Sequence, residues 1–113
     1  MCSQSVLDEI TSKVVAAAKE SLGDRLDKVI LYGSYARGDY DEESDIDIMV
    51  LADISREGAN KVWSQIWSLT GDIDLEYSVI VSVHVVDCYT FYKFIDDLPF
   101  YMNVMKEGVL LSA

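Results

Sequence analysis

Basic residues are scarce in this chain. It has 9 Lys and Arg residues against 20 Asp and Glu residues among 113, which gives a formal net charge of −11. Proteins that bind nucleic acids neutralise phosphates with clustered positive side chains, and the few lysines here are scattered along the sequence. We therefore expect no nucleic-acid partner. A negative surface instead favours a basic protein partner and raises the local concentration of Mg²⁺.

Cysteines and long apolar runs are scarce as well. Cys2 and Cys88 are too few for a disulfide framework and lack the spacing of a metal site, so we expect reduced thiols in a cytoplasmic protein. No apolar run approaches the roughly 20 residues that span a membrane, and the N-terminal segment has the charge of an amphipathic helix rather than a signal peptide. The length predicts a single domain over residues 1–113 with a modest core.

The apolar pattern predicts an α/β (α+β) protein: a small mixed sheet of three to four strands with helices packed on it. In the first helix, Ser5 and Asp8 resemble a capping box, and Gly23 should end the helix. The apolar periodicity predicts helices over residues 5–22, 56–69, 89–96 and 99–106 and strands over residues 28–32, 45–51 and 75–86.

The segment that indicates chemistry is a Gly-Ser turn followed, after ten residues, by two aspartates. Gly33-Ser34 follows the first predicted strand, and Asp45 and Asp47 open the second. Residues i and i+2 of a strand face the same side, so the two carboxylates should converge on one cleft. Mg²⁺ prefers one or two carboxylates together with phosphate oxygens, and a pair of Mg²⁺ ions suits an in-line displacement at phosphorus. Gly33 permits a close approach of backbone to phosphate, and Ser34 can donate its N–H and hydroxyl. The segment predicts a site for nucleotidyl transfer, with Asp45 and Asp47 as catalytic metal ligands.

Two further residues of this segment are candidates for nucleotide binding. Arg37 can pair with a terminal phosphate through its planar guanidinium group, and Ser44 lies directly before the aspartates. The triplet alone is weak evidence, because Asp72-Ile73-Asp74 repeats it without a Gly-Ser pair at the matching distance. The alternative for Asp45 and Asp47 is a solvated strand end beside the acidic loop at residues 39–43.

The pattern Gly33-Ser34, ten residues, Asp45-x-Asp47 resembles the signature of the DNA polymerase beta-like nucleotidyltransferase superfamily. The complete sequence of residues 33–47 and the segment at residues 99–109 are similar to the sequences of its smallest branch, the minimal nucleotidyltransferase (MNT) domains. The resemblance implies that Gly33 and Ser34 bind the triphosphate and that Asp45 and Asp47 bind Mg²⁺. Members of this branch often act as antitoxins beside HEPN-domain ribonuclease toxins, and some transfer AMP from ATP to a tyrosine of that partner. The resemblance implies the same substrate, partner and activity here.

One departure from the family pattern leaves the activity open. Active members usually carry a third carboxylate on a later strand, where this chain should place Ile80 or Ser82. Glu76 and Asp87 flank the predicted strand, but neither can be assigned that role. His84 could act as a base or be an ordinary strand histidine. An MNT-fold antitoxin that neutralises its partner by binding, with weak or no catalysis, is therefore the alternative function, and a nucleotide sensor is a third.

Aromatic residues are concentrated in two places. Trp63 and Trp67 stand four residues apart on the predicted helix over residues 56–69, where we expect them to pack in a core or an interface rather than to form a base-stacking platform. Residues 89–101 hold six further aromatics, which could form a surface for a partner or a second copy of the chain (a homo-oligomer), or could be ordinary core and surface residues. Replacing Tyr92 or Tyr101 by a charged residue should disrupt such an assembly.

Overall fold

A computed structural model describes residues 3–41 and 44–112 as a mixed α/β structure. The elements follow in the order α1 (Gln4–Leu22), a 3₁₀ turn (Gly23–Arg25), β1 (Leu26–Tyr32), α2 (Ser34–Arg37), β2 (Ile46–Ala52), α3 (Arg56–Tyr77), β3 (Val81–Asp87), α4 (Cys88–Phe94), α5 (Pro99–Glu107) and β4 (Val109–Ser112). None of the helices in these ranges is long and apolar enough to cross a membrane.

The sheet has four strands in the order β3-β2-β1-β4. β1 runs antiparallel to both β2 and β4, whereas β2 and β3 are parallel. This arrangement confirms the predicted α/β class and small mixed sheet. The fourth strand, β4, forms after the last predicted helix, where the sequence analysis assigned no strand, and it pairs with the outer edge of β1.

Helices cover both faces of the sheet, which explains why β2 is apolar almost throughout. On one face α1 and α3 pack against residues such as Ile48 and Val50, while on the other α4 and α5 contribute Phe91 and Val104 to a second cluster around Met49. A strand that is buried on both sides needs apolar side chains at consecutive positions. Asp47 is the exception in β2, and its polar side chain lies on the α4–α5 side of the sheet.

The start of α1 differs from the prediction. Ser3 is the N-cap, and its hydroxyl accepts a hydrogen bond from the N–H of Val6 at 3.3 Å. Ser5 lies inside the helix, so the predicted Ser5–Asp8 capping box is wrong. The predicted end is correct: Gly23 has a positive φ of 56° and donates its N–H to the carbonyl of Lys19.

The helix α3 is longer than predicted, and β3 is correspondingly shorter. The helix continues through Thr70 and Gly71 to Tyr77, and Ser78, with φ 55° and ψ 42°, ends it. Gly71 costs about 1 kcal/mol inside a helix, but the continuation buries Ile73 to 1% exposure, which contributes about 1.5–3 kcal/mol. Burial therefore outweighs the propensity signal, and the predicted strand start at residue 75 is wrong.

Candidate active site

The turn after β1 requires glycine at position 33 for two reasons. Gly33 has φ 77° and ψ −156°, a region that other residues enter only with strain. A Cβ atom built there would also overlap the Oδ2 atom of Asp47. The Gly33 carbonyl accepts the N–H groups of Ala36 and Arg37, each at 3.1 Å, so a helical turn starts directly at Ser34. The predicted Gly-Ser turn therefore lies in contact with the second predicted aspartate.

Asp45 lies close enough to Asp47 to influence the ionisation of Asp47. Burial raises the pKa of the Asp47 carboxyl, and the charge of Asp45 raises it further, while the charges of His84 and Arg37 oppose this rise. No side chain in residues 3–41 or 44–112 donates a hydrogen bond or forms an ion pair with either carboxylate. The site thus presents two neighbouring acceptor groups whose repulsion a cation would relieve.

This donor set fits a divalent cation with part of its shell supplied from elsewhere. In the described part of the chain, no three His, Cys, Asp or Glu side chains gather closely enough to hold a metal ion. The metal ligands that the protein itself can supply here are the two carboxylates of Asp45 and Asp47. Mg²⁺ commonly binds with one or two carboxylates, completing its octahedron with phosphate oxygens and water.

Ser82 is the residue of β3 beside Asp47. The two face each other in the parallel register, whereas Ile80 precedes the strand and its carbonyl accepts the N–H of Ile46 at 2.8 Å. Of the two positions expected to replace the third carboxylate, Ser82 is therefore the adjacent one. The two flanking acids lie elsewhere: Glu76 is on α3, and Asp87 is at the far end of β3.

Those two acids have structural partners of their own. Glu76 forms an exposed ion pair with Lys13 at 3.4 Å. Asp87 caps α4 by accepting hydrogen bonds from the N–H of Tyr89 at 3.1 Å and the hydroxyl of Thr90 at 3.0 Å. Neither carboxylate is placed to assist Asp47.

Tyr32 is a site residue that the sequence analysis missed. It is paired with Asp47 in the antiparallel register, it is buried, and both this burial and the Asp47 charge raise its pKa. Its ring meets Phe100 edge-on at 5.7 Å and lies 6.3 Å from the His84 ring. The position directly before the Gly-Ser turn was the available signal. These contacts place His84 on the same face of the sheet as Asp47.

Arg37 and Ser44 lie at the rim of the site with partners in the surrounding loops. The Nε atom of Arg37 is 3.1 Å from Asp39 and its Nη1 atom is 3.6 Å from Glu107 at the end of α5. The Ser44 hydroxyl accepts the N–H of Asp41 at 2.9 Å and donates to the Asp41 carboxylate at 3.3 Å. Ser44 thus closes the loop that leads to β2, and its role in nucleotide binding stays a prediction.

The loop after α2 is anchored by an aromatic stack. Tyr35 is buried in the core, and its ring is parallel to that of Tyr40, with the centroids 4.3 Å apart. This stack returns the chain toward β2. Of the acidic residues expected to be solvated in this loop, Glu42 and Glu43 lie outside the described residues.

Residues 12–111 match the family model described as "Nucleotidyltransferase domain". A relative from Methanocaldococcus jannaschii, named "Putative protein adenylyltransferase", is 36% identical over 104 residues, which is 92% of this chain and 96% of the relative. A second relative from the same organism bears the same name and is 39% identical over 80 residues, or 71% of this chain and 79% of the relative.

Two solved structures share the fold. A toxin–antitoxin crystal structure with AMP-PNP superposes with a TM-score of 0.56 at 20% identity, covering 91% of this chain and 73% of the matched chain. The structure of a tri-AMPylated Shewanella oneidensis HEPN toxin in complex with its MNT antitoxin gives a TM-score of 0.51 at 17% identity, covering 93% and 71%.

Proposed function

The chain belongs to the nucleotidyltransferase domain family, and we propose that it transfers AMP from ATP to a tyrosine hydroxyl of a HEPN-domain toxin, in an Mg²⁺-dependent reaction, and so acts as an antitoxin. The observation that carries the proposal is the contact between the Gly33 turn and the Asp47 carboxylate, with Asp45 beside it. The names of the relatives support transfer to a protein, and the complexes formed by the structural neighbours support the partner.

Each residue of the site has a part in this proposal. Gly33 and Ser34 receive the phosphates with backbone N–H groups and a hydroxyl, and Arg37 binds the terminal phosphate. Asp45 and Asp47 hold the metal. Bound Mg²⁺ would neutralise the triphosphate and stabilise the attacking and leaving oxygens.

The transfer exchanges one phosphorus–oxygen bond for another. The tyrosine oxygen forms a bond to the α-phosphorus, the bond from the α-phosphorus to its bridging oxygen breaks, and pyrophosphate leaves with the electron pair. The hydroxyl proton needs an acceptor, and β3 places Ser82 rather than a carboxylate beside Asp47. His84, on the same face, is the base that we assign, because histidine is the side chain that serves most often as a general base in enzymes.

A labelling experiment tests the transfer. The chain is incubated with its HEPN-domain partner, Mg²⁺ and ATP labelled in the α-phosphate, and we expect label on a partner tyrosine. Asp45→Asn should reduce the rate by at least about 100-fold, the size of effect that follows loss of a transition-state electrostatic contact. Asp72→Asn is the matched control, since Asp72 belongs to the same Asp-Ile-Asp text but is exposed on α3. An unlabelled partner, or equal loss in both variants, would contradict the proposal.

A second function, neutralisation by binding alone, has two observations in its favour. No carboxylate of β3 stands beside Asp47 in the described structure, and α4 and α5 expose large apolar side chains such as Tyr89 and Phe100. Under this function the double variant Asp45→Asn/Asp47→Asn still protects cells from the toxin. Under the transferase function that variant fails to protect, and a growth assay with the co-expressed toxin separates the two.

A further inference from the structure

The open edge of the sheet is partly capped by side chains from α3. β3 is an edge strand. The Asp74 carboxylate accepts the N–H of Val81 at 3.0 Å, and the indole Nε1 of Trp63 donates to the carbonyl of Val83 at 3.0 Å. These two bonds obstruct the addition of another strand, because they occupy backbone groups that the new strand would need.

One donor and one acceptor remain on this edge between the two caps. The N–H and C=O of one strand residue point to the same side, so the carbonyl of Val81 and the N–H of Val83 also face outward. No hydrogen bond among the described residues engages either group. The edge therefore presents an acceptor and a donor two residues apart.

A cavity of about 390 Å³ opens at this point, within the roughly 300–1,000 Å³ typical of small-molecule sites. Trp63 and Trp67 form one wall, with ring centroids 5.1 Å apart. The structure leaves Trp63 41% and Trp67 63% exposed beside the cavity, so the predicted core packing is wrong, while packing in an interface stays a prediction. A flat ligand in the cavity can stack on these exposed indole rings.

We propose that this cavity binds the adenine base of the donor nucleotide. Adenine offers an amino donor next to a ring-nitrogen acceptor, which matches the carbonyl of Val81 and the N–H of Val83. Its flat face can stack on the indole of Trp67, as bases stack on aromatic side chains elsewhere. Hypoxanthine, the base of inosine, carries an oxygen acceptor and a ring N–H donor in these positions and so presents the reverse pattern.

The strand β3 links the cavity to the candidate active site. Ser82 and His84 line the cavity, and Ser82 is also the partner of Asp47 in the sheet. From β3 to the Gly33 turn after β1 the path crosses two strand spacings, about 10 Å, over which a ribose and a triphosphate can extend. The inference rests on the proposed function for the choice of ATP, and it adds the residues that select the base.

Tryptophan fluorescence reports directly on this cavity, because Trp63 and Trp67 are the two tryptophans of the chain. We expect ATP with Mg²⁺, and adenosine alone, to quench or shift the emission, and inosine triphosphate to bind more weakly. Loss of one stacking contact is worth about 1–2 kcal/mol, so Trp67→Ala should weaken ATP binding roughly 5- to 30-fold in calorimetry. Trp67→Phe should retain most of the affinity. Tyr89→Ala is the matched control, since Tyr89 is 68% exposed on α4.

The outcomes separate this inference from the proposed transfer. Adenosine has no phosphate, so Asp45→Asn/Asp47→Asn should bind it as the unchanged protein does. If ATP binds with equal affinity to the unchanged protein and to Trp67→Ala, without a change in emission, the base site is refuted and the transfer proposal stands. If inosine triphosphate binds as tightly as ATP, the assigned hydrogen bonds are refuted. Quenching by adenosine without any transfer of label would support the base site and count against the transferase.

Discussion

Replacing Gly33 by alanine adds one methyl group where the turn meets Asp47. The backbone there, at φ 77° and ψ −156°, is nearly exclusive to glycine, and the new Cβ would overlap Oδ2 of Asp47. Either the turn must change its dihedral angles or the carboxylate must move away. Both adjustments separate the two halves of the proposed site.

The expected loss of stability and the expected loss of transfer rate differ in size. A residue held in this backbone region costs about 1–3 kcal/mol, and each kcal/mol lowers Tm by about 4 °C in a chain of 113 residues. Small domains are usually stable by about 5–15 kcal/mol, so the variant should remain folded at 25 °C. A displacement of about 1 Å at a catalytic group can reduce a rate about 100-fold. We therefore expect the transfer rate to fall far more than the loss of stability explains.

Thermal unfolding and the labelling assay, run on the same preparations, test this difference. Gly23→Ala is the control, because Gly23 also has a positive φ, of 56°, but no atom lies within 4 Å of its added Cβ. That variant should lose a comparable amount of stability while keeping its transfer rate within a few-fold. If Gly33→Ala transfers AMP as fast as Gly23→Ala does, the carboxylate is not constrained by the turn and the reasoning fails.

Two other predictions concern charge and exposed aromatics. Burial and the charge of Asp45 raise the folded-state pKa of Asp47 above its unfolded value, so ionisation of Asp47 opposes folding as pH rises. In the metal-free protein Asp47→Asn should therefore raise Tm at pH 7, and the gain should shrink as the pH falls to about 4. A gain in Tm that does not depend on pH would contradict this. The Tyr101 ring centroid lies 4.8 Å from that of the buried Phe91, so Tyr101→Glu should cost about 1–3 kcal/mol in thermal unfolding. Tyr89→Glu should leave Tm nearly unchanged but reduce partner binding or self-association in light scattering. Unchanged association would exclude α4 as the association surface.

The proximity of Asp45 and Asp47 was predictable because it depends on local rules. A strand places residues i and i+2 on one face. The structure starts β2 at Ile46 rather than at the predicted Asp45, and the charge of Asp45 still acts on Asp47. Asp72 and Asp74 have the same spacing, but they lie in α3, where residues two apart point in different directions. The same Asp-Ile-Asp sequence therefore orients its two carboxylates differently in the two places.

The parts that escaped prediction depend on contacts between distant segments. The extension of α3 past Gly71 follows from the burial of Ile73 against the sheet. The strand β4 requires Gly108, since a Cβ there would overlap the backbone of Val104 and the side chain of Ile30. No local pattern reveals such a close approach, because it exists only after the sheet has formed.

The energetics of Asp47 bear on which of the two functions the site serves. A carboxylate whose pKa is raised by burial and by a neighbouring carboxylate opposes folding at neutral pH, and the charges of His84 and Arg37 offset this only in part. Gly33, which the same carboxylate needs as a neighbour, adds the conformational entropy of a glycine to the unfolded state. A fold that only masks a partner would be more stable without either feature. A site that must bring a cation and phosphates together uses both, and such local costs are typical of catalytic centres. The carboxylate pair beside the Gly33 turn therefore favours the transferase over neutralisation by binding alone.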